Sequence, residues 1–125
     1  MAASRLFPAL LAVPLIAVLS LANVPAARAH AILLHSQPAP SASVSAGEVA
    51  FDLHYNSRID AGRSRLTLIA PDHGQSVMTL LPGSAPDELK AKASLGPGTY
   101  TLRWQVLAID GHITRGDLPF TVTGR

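Results

Sequence analysis

The chain has 125 residues, of which ten are basic and eight acidic, and it contains no cysteine. The missing cysteine excludes disulfide bracing, thiolate metal sites and thiol nucleophiles. Arg5 and Arg28 both fall within the first 29 residues, so the remainder balances eight cations against eight acids and carries no electrostatic footprint for nucleic acid or an anionic membrane.

Between those two arginines runs "LFPALLAVPLIAVLSLANVPAA". A short basic start, an apolar middle and the small-x-small exit Ala27-Arg28-Ala29 make residues 1–29 a secretory signal peptide, cleaved after Ala29. A membrane-spanning helix needs roughly 20 uninterrupted apolar residues, and Pro8, Pro14 and Pro25 break the run. Residues 30–125 remain, enough for one small domain that relies on its core alone. They contain no second long apolar run, so the cleaved product should not insert into a membrane. Its compartment lies outside the cytoplasm, the periplasm in a Gram-negative cell.

Past the cleavage point, "PAPSASVSAG" (38–47) reads as a loop, and strict alternation then dominates. In "EVAFDLHY" the residues Val49, Phe51, Leu53 and Tyr55 share one face, opposite Ala50, Asp52 and His54. "SRLTLIA" sets Leu66 and Leu68 against Thr67 and Ile69, and "PDHG" turns the chain with Gly74 as the residue taking a positive dihedral. "QSVMTLL" returns as a strand, and "PDELKAKASL" reads as loop plus strand. After the turn "GPG", "TYTLRWQVLA" points Tyr100, Leu102, Trp104 and Val106 inward, and "DLPFTVT" closes with Leu118, Phe120 and Val122. Short strands with turns every eight to twelve residues predict an all-β domain of about seven strands, a β-sandwich or Greek-key β-barrel. The aromatics fall on inward faces and read as core.

Five histidines follow the leader. His73 sits in a turn and His54 on an outward strand face, both read as solvent-exposed. His35, near the end of the first strand, reads as a buried hydrogen-bonded residue or a minor ligand. His30 and His112 differ. In "AIDGHITRG", the connection between the two strongest strands, Asp110 and His112 stand two apart, a spacing that projects both to one side of an extended chain. Cleavage would give His30 a free α-amine beside its ring, a chelating pair that binds when unprotonated. With His112 and Asp110 this makes three nitrogens and one oxygen. Such a sulfur-free set suits Cu(II), with zinc as the competing ion. Met78 is the single methionine after the leader, too few for a Cu(I) site.

The segments "HAILLHSQPAPSASV", "VAFDLHYNSRI" and "GPGTYTLRWQVLAIDGHITRGDLPFTVT" together resemble the CopC family of periplasmic copper-binding proteins, across essentially all of residues 30–125. The resemblance implies a cupredoxin- or immunoglobulin-like Greek-key fold and one Cu(II) ion per chain, held by His30, Asp110 and His112. It also implies a non-enzymatic, monomeric carrier for copper resistance or homeostasis, handing copper to a CopD-type inner-membrane protein. The chain departs from some members in two ways. It lacks a methionine- and histidine-rich Cu(I) loop, and "YNSRID" has Asn56 and Ser57 where a glutamate can stand. The first departure implies a Cu(II)-only protein, and the second leaves the fourth position to Asp110 or water.

Two other readings use the same residues. An N-terminal histidine with a second histidine is also the copper arrangement of lytic polysaccharide oxygenases, but Asp110 would fill the open position that their chemistry requires. A metal-free exported β-sandwich serving adhesion or assembly would place His30 and the 110–112 turn at opposite ends.

Overall fold

The computed structural model describes residues 30–82 and 85–124; the expected leader, residues 1–29, lies outside the described residues. Eight strands follow in chain order: β1 (Leu33–Gln37), β2 (Ala42–Ser45), β3 (Gly47–Tyr55), β4 (Arg65–Ile69), β5 (Gln75–Val77), β6 (Glu88–Leu95), β7 (Gly98–Leu107) and β8 (Ile113–Thr123). A single 3-10 turn, Ala61–Arg63, precedes β4. Among the described residues no helix is long and apolar enough to cross a membrane.

The strands form two sheets, β1-β3-β6 and β2-β8-β7-β4-β5. Every pairing is antiparallel except β2 with β8. The sandwich expectation holds, and the sheets do not close into a barrel. The eighth strand is β2, which lies in the stretch 38–47 that reads as a loop from sequence. Its residues are small and show no apolar alternation, and pairing along β8 makes it a strand. Ser41 N–H donates to the Pro119 carbonyl at 2.7 Å and Ala46 N–H to that of Thr123 at 2.9 Å.

The core lies between the sheets. From β3 it receives Val49, Phe51, Leu53 and Tyr55, from β7 Tyr100, Leu102, Trp104 and Val106, and from β8 Leu118, Phe120 and Val122. Alternation puts these side chains on one face because successive strand residues point to opposite sides. Each large apolar side chain so buried stabilises the fold by about 1.5–3 kcal/mol. In a chain without disulfides that burial is the main source of stability. Phe51 meets Phe120 edge to face across the core, ring centres 5.5 Å apart, and Tyr55 meets Trp104 in the same manner at 5.4 Å.

The "PDHG" turn forms between β4 and β5, with His73 N–H donating to the Ala70 carbonyl at 2.8 Å. The positive φ, 71°, belongs to His73 and not to Gly74. Asp72 caps the turn by accepting the Gly74 N–H at 2.9 Å. An Asx-type contact of this kind sets the turn through a side chain, and histidine is among the residues that tolerate the left-handed region.

Candidate metal centre

The turn between β7 and β8 is built on backbone contacts. Ala108 N–H donates to the His112 carbonyl and Gly111 N–H to the Ala108 carbonyl, both at 2.8 Å. Gly111 has φ 94°, a region that a residue with a Cβ rarely adopts. Ala108 also bridges to Ile59, and Ile109 N–H reaches the Arg58 carbonyl at 3.3 Å, which docks the turn onto the segment after β3.

Within the turn Asp110 grips His112 twice. Oδ1 accepts the His112 backbone N–H at 3.1 Å, and Oδ2 lies 3.1 Å from Nδ1 of its ring. The backbone N–H of His112 is the largest influence on the Asp110 carboxyl; desolvation opposes it, and the His112 ring adds to it, so the carboxyl is held below its ordinary value. The expected convergence of the two side chains is therefore present, but for a different reason. The chain is not extended here; an Asx turn around Gly111 brings them together.

The other half of the site is the segment before β1. The Ala31 side chain is buried, and its carbonyl accepts the Thr114 hydroxyl of β8 at 2.8 Å. Ile32 N–H donates to Asn56 Oδ1 at 2.7 Å, and Asn56 N–H donates back to the Ile32 carbonyl at 3.0 Å. One anchor is on β8 and the other follows directly on the end of β3. Between them they set the His30 ring edge-on to the His112 ring, centroids 5.1 Å apart and planes at 85°. His30 and His112 are exposed, so an ion can reach both from solvent. A metal-free module with His30 and the turn at opposite ends does not describe this arrangement.

Asn56 is the residue whose role the sequence did not reveal. The sequence marks it only by the absence of a carboxylate, whereas its amide holds the segment that carries His30. The other histidines lie elsewhere. His73 is exposed in its turn, as expected. His35 is exposed rather than buried, and its ring stacks on that of His54 with centroids 4.3 Å apart. His54 is half-buried rather than solvent-exposed, with Nε2 3.1 Å from Asp52 Oδ1 and 3.2 Å from Glu88 Oε2. Among the described residues, the trio whose ligand atoms all lie within 4.8 Å of one another is Asp52, His54 and Glu88; His30, Asp110 and His112 are neighbours in a looser arrangement.

The fold and the site together define a class: a small two-sheet β-sandwich that sets a histidine pair and a carboxylate beside its first strand. The chain belongs to the CopC family, whose CopC domain matches residues 33–123, a span that begins just after His30 and includes Asp110 and His112. Protein YobA of Escherichia coli K12 is 34% identical over 103 residues, covering 78% of this chain and 82% of that protein. CopC from Methylosinus trichosporium OB3b superposes with a TM-score of 0.70 at 25% identity, covering 77% of this chain and 96% of that one. PcoC, a methionine-rich copper resistance protein from Escherichia coli, superposes with a TM-score of 0.63 at 26% identity, covering 76% of this chain and all of that one (100%).

Proposed function

We propose that this chain binds one Cu(II) ion outside the cytoplasm, in the periplasm of a Gram-negative cell, and carries it for copper resistance or homeostasis without catalysing a reaction. The observation that carries this reading is the approach of the His30 and His112 rings to 5.1 Å across most of the length of the chain, with Asp110 seated on His112. Membership of the CopC family and the likeness to the copper resistance protein PcoC support it.

Copper is cargo here, and the residues present fit it. Cleavage after Ala29 frees the His30 amine to act with its own ring as a chelate. Asp110 occupies Nδ1 of His112, which leaves Nε2 to face an ion and fixes the ring's orientation, as a carboxylate partner does for metal-bound histidines generally. Asp110, held ionised by the same contacts, or a water would complete the fourth position. Three nitrogens and one oxygen without sulfur favour Cu(II) over Cu(I). Met78, the remaining methionine, packs against the core, which sets this chain apart from the methionine-rich PcoC. Exposed ligands suit a carrier that must surrender its ion, and the recipient in this reading is a CopD-type inner-membrane protein. The carrier acts as a monomer.

The test is native mass spectrometry of the secreted protein with and without Cu(II), paired with electron paramagnetic resonance. The expected result is a chain starting at His30 that holds one ion with a type-2 Cu(II) spectrum. A chain that starts elsewhere, or one that takes up no copper at one equivalent, overturns the reading.

A further inference from the structure

The outer face of the three-stranded sheet carries a second set of ligating groups. In the β3–β6 register His54 stands opposite Glu88, and Asp52 opposite Lys90. Asp52 and His54, two apart on β3, point to the same face. The β1–β3 register sets His35 opposite His54, and the stacked His35 ring covers the His54 imidazole.

We propose that Asp52, His54 and Glu88 form a second site, specific for a divalent transition ion of the Zn(II) type and separate from His30, Asp110 and His112. Three observations carry it. The first is distance. Donor atoms around a tetrahedral ion at bond lengths of roughly 2.0–2.1 Å lie about 3.3 Å apart. His54 Nε2 lies 3.1 Å from Asp52 Oδ1 and 3.2 Å from Glu88 Oε2, so two of the three separations already match, and all three donor atoms lie within 4.8 Å of one another.

The second observation is an unmet need. Asp52 Oδ1 is buried and makes no hydrogen bond, although His54 Nε2 is close by. One imidazole nitrogen carries at most one proton, and two carboxylate oxygens face it. A buried carboxylate oxygen without a partner is costly, and an ion would satisfy both oxygens and the nitrogen at once.

The third is the setting of Glu88, a buried acid with 7% of its surface exposed. Its Oε1 accepts the Ala85 N–H at 3.1 Å, which orients the carboxylate and leaves Oε2 turned toward His54. The neighbouring cation, Lys90, stays 3.8 Å from Oε2 and is half-exposed, so it can withdraw when an ion arrives. One nitrogen and two oxygens suit Zn(II) with a water at the fourth position. The nitrogen-rich set at His30 would outcompete this trio for Cu(II).

The experiment titrates Zn(II) into the secreted protein already loaded with one equivalent of Cu(II), reading zinc by calorimetry and the His54 ring by NMR in a zinc-loaded, copper-free sample. The expected result is one zinc ion per chain, a shift of the His54 ring resonances, and affinity weakened roughly tenfold or more in Asp52→Asn, the scale at which even outer-shell partners are felt. His73→Ala, in the distant β4–β5 turn, should leave zinc binding unchanged, and prior loading with copper separates the proposal from the copper site. If wild-type protein takes up no zinc beyond its copper, or if saturating zinc leaves the His54 resonances unmoved, the trio is an ion-pair cluster and the proposal fails. Because the His54 signal is read in wild-type protein, the answer does not depend on any variant folding.

Discussion

Asn56 and Ile32 exchange two hydrogen bonds, the side-chain oxygen of one taking the backbone N–H of the other at 2.7 Å while the reverse backbone bond spans 3.0 Å. This pair, with Thr114 on Ala31, aims His30 at the β7–β8 turn. It fixes the segment that carries His30 as one side of a candidate site.

Asn56→Ala should therefore lower copper affinity while leaving the fold intact. The lost side-chain bond is worth about 0.5–1.5 kcal/mol, which corresponds to a few-fold to roughly tenfold weaker binding if all of it falls on the bound state. Competition titration against a Cu(II) chelator measures this. Affinity equal to wild type would mean that the remaining contacts position His30 unaided.

One alanine placed before His30 in the mature chain removes the free amine from that residue while leaving both rings. Copper binding should weaken strongly, and His112→Ala should nearly abolish it. His73→Ala, in the distant β4–β5 turn, should leave affinity unchanged. Equal copper affinity in the extended and native chains would eliminate the chelate.

Acid should release copper before it disturbs the turn. The Asp110 carboxyl is held below its ordinary value by the His112 backbone N–H and then its ring. A depressed folded value means that the contact contributes fully above the unfolded carboxylate value of about 3.9. The contribution is lost only as pH falls through the still lower folded value. Copper departs at higher pH, because protons compete for the ligand nitrogens. Following the Cu(II) spectrum and the Asp110 carboxyl signal through one acid titration should show two separate events in that order. An Asp110 that titrates at or above the ordinary carboxylate value would contradict the double contact.

Gly116 is opposite Trp104 in the β7–β8 pair, and a Cβ at this position would overlap the indole ring at Cζ2. Gly116→Ala should push the indole off the strand and cost about 1–3 kcal/mol, the usual penalty of overpacking. Thermal melts and the tryptophan fluorescence maximum report it. A red-shifted emission with a lower Tm is the expected result, and an unchanged melt would mean that Trp104 repacks without cost.

The period-two alternation of "EVAFDLHY", "TYTLRWQVLA" and "DLPFTVT" was enough to assign three long strands and their inward faces, because strand geometry alone couples that pattern to burial. The same pattern read Leu66 and Leu68 correctly. It could not find β2, since Ala42–Ser45 is a strand only by virtue of its bonds to β8. Nor could it give the positive φ to His73, where the Asp72 side chain rather than glycine shapes the turn.

The candidate copper residues were legible for a local reason. A histidine directly after a cleavage signal and an Asp-Gly-His turn each announce themselves within a few residues. Their meeting was not legible, because no local pattern encodes which strands pair or how the first segment is tied down. Thr114 of β8 and Asn56, just past the end of β3, supply that tie. The trio of Asp52, His54 and Glu88 depends on distance in the same way: two of its members sit together on β3, but the third arrives through the β3–β6 register. What the sequence determined by itself was the inward faces of the long strands and the candidate copper groups His30, Asp110 and His112. Which of them come within reach of one another was decided by the pairing of strands far apart in the chain, a property of the folded sandwich.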